Sequence, residues 1–151
     1  MEHSPEFDIG VLASDDMICQ MQGWDTIIVN EMKEHFPDTD GCLFHWDGDP
    51  ATARHNNGQG LCTMNITGRK YFYETSSSPG KFYHSDYSSL WCDNEYTEVA
   101  QSKNKMFKSY VVLFKHIHPS NSHIAADKLM RRTQSFFEKD KNKYYYRRVN
   151  N

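Results

Sequence analysis

Phe107-Lys-Ser-Tyr-Val-Val-Leu-Phe-Lys-His116 is the stretch on which the fold class turns. Its centre is β-branched and aromatic, a composition that suits a pleated surface packed on a core. Pro119 stops it, because proline has no N–H to give to a ladder. The composition predicts a strand inside a sheet over 107–116. Downstream, Ser120-Asn-Ser122 offers helix caps, and Ala125, Ala126, Leu129, Met130, Phe136 and Phe137 recur at helical spacing. The tail 139–151 carries Tyr144-Tyr-Tyr-Arg-Arg148 and reads as a frayed helix end or an ordered arm.

Working back toward the N-terminus, the polar run 93–105 reads as a surface connection with a helical turn around Glu95 to Gln101. A strand is expected over 82–85. Leu61–Ile66 and Arg69–Thr75 read as a hairpin joined across Thr67-Gly68, with Tyr71 and Tyr73 on one face and Phe72 on the other. Residues 51–60 are rich in turn formers. Asn57-Gly58 suits a type I′ turn, and Gly58-Gln59-Gly60 reads as hairpin chemistry rather than a phosphate-cradling loop. Over 42–47, alternation puts Leu43, His45 and Asp47 on one face of a short strand and Phe44 and Trp46 on the other. Before it, Ser14 is placed to cap a helix with Asp15 and Asp16 in its first turn. Met17, Met21, Trp24, Ile28, Met32 and Phe36 follow at steps of 4, 3, 4, 4 and 4, one apolar stripe that Pro37 ends.

The order helix, strands, helix indicates an α+β fold. The expected architecture is a two-layer domain, its N-terminal and C-terminal helices packed on a mainly antiparallel sheet of about four to six strands. With 151 residues, 38% of them hydrophobic and 14% aromatic, one domain over 1–151 is expected, with 1–13 and 142–151 as flexible ends. The longest near-apolar segment, Tyr110 to Phe114, is five residues, far below the roughly 18 to 20 of a membrane span. The opening residues are acidic and lack the basic start and apolar run of a secretory signal, which points to the cytosol or nucleus. Cys19, Cys42, Cys62 and Cys92 form no CxxC pair and read as buried or half-buried thiols.

The overall charge of -3 conceals a strong segregation: residues 1–60 carry a net -10, 61–100 a net -2 and 101–151 a net +9. Such asymmetry marks a surface for an anionic partner, or lets the two ends of one domain, or two copies of it, attract each other. The leading expectation is a small binding protein without chemistry of its own. It would engage an acidic protein surface or a single-stranded nucleic acid through Lys128, Arg131, Arg132, Arg147 and Arg148. Tyr71 and Tyr73 would supply contact or stacking faces. No membrane partner is expected, and a homo-oligomer joined through the acidic and basic halves is the further partner reading.

A rival from a different class is metal-assisted hydrolysis. His45 and Asp47 alternate on one strand and His116 and His118 on another, so if the strands are neighbours the four side chains converge. Imidazole and carboxylate suit a divalent transition metal whose open position activates water. His116-Ile-His118 followed by Tyr144, Tyr145 and Tyr146 also resembles the His-x-His motif of nucleases that nick single-stranded DNA with a tyrosine. A longer likeness runs through Leu43-Phe-His45, Gly80-Lys-Phe-Tyr83 and Met106 to Leu113, which resembles the strand order of poly-ADP-ribosyltransferases. That resemblance implies cofactor-binding roles for His45 and Tyr83. Trp46 stands where that family has glycine, and no late glutamate takes the catalytic place.

Overall fold

Cys42–His45 lies at the heart of the molecule, with all four side chains buried. The computed structural model describes residues 6–117 and 128–150. Its strands are β1 (Ile9–Leu12), β2 (Met17–Cys19), β3 (Cys42–His45), β4 (Asn65–Gly68), β5 (Met106–Ser109) and β6 (Phe114–His116). Its helices are α1 (Trp24–His35), α2 (Pro50–Gly58), α3 (Cys92–Ser102), α4 (Lys128–Gln134) and α5 (Phe137–Asn150), with one π-helical turn at Tyr71–Thr75. The four-stranded sheet runs β1-β4-β3-β5, antiparallel except for the parallel β3–β5 pair, and β2 pairs antiparallel with β6 in a second sheet. The fold is α+β, and its pairing is mainly antiparallel.

The sheet is covered on both faces, which goes beyond the expected two layers. Side chains alternate along a strand, so Leu43 faces one way, into a cluster with Ile28 and Met32 of α1, Met64, Ile66 and Leu113. Cys42 and Phe44 face the other way, into a cluster with Cys62, Tyr71 and Tyr96 and Ala100 of α3. A strand buried on both faces needs no polar face, and that is why Cys-Leu-Phe-His is nearly unbroken apolar sequence. Burying each large side chain in these clusters contributes about 1.5 to 3 kcal/mol.

The helical stripe over 17–36 divides at Gly23. That residue sits at φ 75°, a left-handed conformation that costs an L side chain about 1 to 2 kcal/mol, so it stops the helix from extending back. Only Trp24 onward is helical. Ile28 and Met32 are buried as the periodicity requires, while Met17 joins β2 opposite His116. Ser14 caps no helix; its hydroxyl bonds Asp16 Oδ1 instead.

The stretch 107–116 is not one strand. Parallel pairing with β3 runs out where Ser109 stands opposite His45. Tyr110 then swings into solvent at 76% exposure, Leu113 drops into the core, and the chain re-enters pairing as β6 of the other sheet. Residues 50–58 form a helix where turn chemistry was expected. Asp49 Oδ1 accepts the Ala51 N–H at 2.7 Å and Pro50 takes the first helical position, an N-cap and N1 pair that outweighs the turn-forming Asn-Asn-Gly end. Residues 69–75 are a helical turn rather than the second arm of a hairpin, because the Tyr71 N–H bonds the Thr39 carbonyl and curls the chain over the sheet. Residues 82–85 form no strand. Ile9–Leu12 is a paired edge strand, and 142–150 forms the C-terminal part of α5.

Candidate functional site

The C-terminal basic segment forms α4 and α5, and α5 docks on α3 rather than on the sheet. The anchor is Asp140, fully buried on the first turns of α5. Its Oδ2 accepts the backbone N–H groups of Ser88, Ser89 and Leu90 at 3.1, 2.8 and 3.0 Å. Burial works to raise its pKa, but the three amides, with Lys143 nearby, outweigh that and hold it below the usual carboxylate range. Further along, Arg147 grips Glu95 of α3 with two bonds of 2.8 Å, Nε to Oε2 and the second terminal nitrogen to Oε1. Tyr87 donates to the same carboxylate. His84 completes the group: its Nδ1 faces the Asp86 carboxylate at 3.5 Å, and its Nε2 accepts from Arg147 at 3.0 Å. Glu98, one turn further along α3, accepts from Tyr144 and sits 3.3 Å from Arg148 Nε.

Between α3, α5 and the loops carrying Gln59 and Ser77 lies a hollow of about 1010 Å³. A second hollow of about 230 Å³ adjoins it, and Glu98, Tyr144 and Arg148 line both. Trp91 borders the smaller one. It holds φ 66°, unusual for a bulky residue, its indole N–H is buried without a partner among the described residues, and its ring packs on Phe137, Tyr144 and Tyr145. A left-handed backbone at such a residue costs about 1 to 3 kcal/mol, a strain that clusters at functional positions.

Of the residues expected to meet a partner, Lys128, Arg131 and Arg132 are exposed on α4, a helix with no buried residue. Arg148 is 57% exposed. Arg147 is spent inside the fold: at 14% exposure, its charge answers Glu95. Tyr71 is wholly buried, edge-on to Tyr96, so it presents no stacking face; the helical turn at 71–75 takes it inward. Tyr73 is 46% exposed and packs on Phe7 and Phe72, outside the C-terminal helices.

The His and Asp positions are divided between two sites. His45 faces α1: its Nδ1 donates to the Val111 carbonyl at 3.1 Å, and its Nε2 lies 2.7 Å from Glu31 Oε2, sealed from water and out of line for a hydrogen bond. Asp47, past the end of β3, accepts from Thr52, Thr63 and the Asp49 amide. His116, on the second sheet, stands between two carboxylates, with Asp47 at 3.8 Å from Nδ1 and Asp16 at 3.0 Å from Nε2. Asp47 chiefly raises the His116 pKa; burial opposes this and Asp16 adds to it. His118 lies outside the described residues. Among the described residues no group of three or more His, Cys, Asp or Glu side chains is placed to hold a metal ion. Tyr83 is half-buried against Tyr96.

Glu95, Glu98 and Asp140 escaped the sequence reading. The first two stand three residues apart on a helix, a spacing that puts both on one face, and that face is what draws the last turn of α5. Comparison with protein-family models, curated proteins and solved structures finds no match to this chain. Among the described residues no helix is long and apolar enough to cross a membrane.

Proposed function

We propose that the chain is a binding module that holds an acidic protein partner on α4, without chemistry of its own. The observation that carries this reading is the division of the C-terminal cations. Arg147 and Arg148 are turned toward the acids of α3, whereas Lys128 and Arg132 stand exposed on α4 with Leu129, itself 62% exposed. Exposed cations on one helix with an exposed leucine suit a partner surface that pairs carboxylates with an apolar contact. A nucleic acid is less favoured, because Tyr71 is buried and Tyr73 packs on Phe7 and Phe72 rather than beside these cations.

The test is charge reversal with Lys128→Glu and Arg132→Glu in the full chain. The expected result is that an acidic, leucine-containing peptide binds the parent protein, loses binding on reversal, and leaves the thermal melt unchanged. Tight binding of a single-stranded oligonucleotide, with a log-log salt slope of about -0.7 per phosphate contacted, overturns the choice of partner. A lowered melting temperature on reversal, with no peptide binding to the parent, shows that α4 serves the chain's own acidic surface and removes the reading.

A further inference from the structure

The large hollow has an uneven hydrogen-bond ledger. Its acids are satisfied: both Glu95 oxygens are taken by Arg147 and one of them also by Tyr87, and the Glu98 oxygens meet Tyr144 and Arg148. Its donors are not. Among the described residues Lys103 Nζ meets only the Thr75 carbonyl, and the two terminal nitrogens of Arg148, whose guanidinium lies over the Tyr144 ring, meet no acceptor. The side chains of Ser77 and Gln59, on the facing loops, also carry no hydrogen bond among the described residues. What the hollow lacks is acceptors and negative charge.

We propose that this cleft binds the phosphate monoester of a small organic molecule. Two cations with spare donors, joined by a hydroxyl and an amide from other directions, match a group with three acceptor oxygens and a charge near -2 better than a flat, singly charged carboxylate. At about 1010 Å³ the hollow far exceeds a bare phosphate and has the size of an organic ligand's pocket, with Val99 and the Tyr144 ring as apolar lining for the ligand's body. The Arg147–Glu95 fork keeps the wall rigid without using the donors that face the ligand. Glu98 is the built-in competitor: its single 3.3 Å contact to a 57% exposed Arg148 is the looser of the two ion pairs, and an incoming phosphate takes its place.

The experiment is calorimetric titration of the full chain with inorganic phosphate, glycerol phosphate, a hexose phosphate and a nucleoside monophosphate, beside their dephosphorylated counterparts and a carboxylate of similar size. The expected result is saturable binding of at least one phosphate monoester and none of its dephosphorylated form. Lys103→Ala and Arg148→Ala should each weaken it by about tenfold. Glu98→Gln should strengthen it several-fold, an outcome that a folding defect does not imitate. Lys128→Glu with Arg132→Glu should leave it unchanged, so this site and the α4 surface stand or fall separately. Absence of saturation by every phosphate up to about 10 mM overturns the proposal. So does equal binding of the carboxylate, or equal weakening by the α4 reversal.

Discussion

Asp140 ties the last helix to the body of the protein through one carboxylate, and its charge decides how well. Three amides converge on it in a fully buried place. Asp140→Asn keeps the shape but leaves those amides at best a neutral amide oxygen in place of the carboxylate. It should cost about 1.5 to 3 kcal/mol in urea unfolding, the range for a hydrogen bond to a charged group. Because its folded pKa lies below the unfolded value, this stabilisation is present above the ordinary carboxylate range and is lost as pH falls through the folded pKa. The acid limb of the stability profile should therefore flatten in the variant. His116 has the opposite sign. Its folded pKa is raised by Asp47 and Asp16, so its contribution is complete below about 6.5 and disappears as pH rises through the folded value. Denaturant melts between pH 6 and 9 should show the parent losing stability relative to His116→Gln as pH rises, and parallel curves for the two proteins would refute the pairing of His116 with Asp47 and Asp16.

At the scale of elements, α5 is held by a pair of charges that face each other across α3. Arg147 and Glu95 are 14% and 10% exposed, so removing one leaves the other charged and poorly solvated. Arg147→Met should cost about 2 to 4 kcal/mol, while Arg147→Met combined with Glu95→Gln should cost less than the single change. Urea melts of the four proteins measure the coupling, expected at about 1 to 3 kcal/mol. Coupling near zero would mean that the fork is ornamental to the docking. The elements that a linear reading reaches are those whose period is set by one neighbour. Ile28 and Met32 repeat along α1 because a single sheet face receives them, and β3 reads as a strand because both of its faces are buried. Where a distant group intervenes, the reading fails. The Thr39 carbonyl captures the Tyr71 amide and turns an aromatic strand pattern into a helical turn, and the Val111 carbonyl is taken by His45, so the best strand in the sequence bends between two sheets. The charge of the C-terminal segment was legible at once. Its division into spent and exposed cations was not, because that depends on where Glu95 and Glu98 arrive.

Across the whole molecule, the segregation of -10 and +9 is partly consumed inside the fold. Lys105 reaches Asp40 at 2.7 Å, tying the last third of the chain to the first, while Arg147 and Arg148 meet Glu95 and Glu98 of the middle. A further share lies on α4, which buries none of its residues. Stability should accordingly be graded rather than uniform, since opening free energy follows buried contact. Hydrogen exchange should find β3, β4 and α1 opening only with the whole molecule, α5 at an intermediate level set by Asp140 and the Arg147–Glu95 fork, and α4 close to free exchange. The Asp140→Asn variant makes the ordering decisive, because the amides of α5 should then fall toward those of α4 while those of β3 stay at the global limit. If α5 keeps its protection in that variant, the helix is held by its aromatic contacts with Trp91, and the charges that surround the cleft serve the ligand rather than the fold.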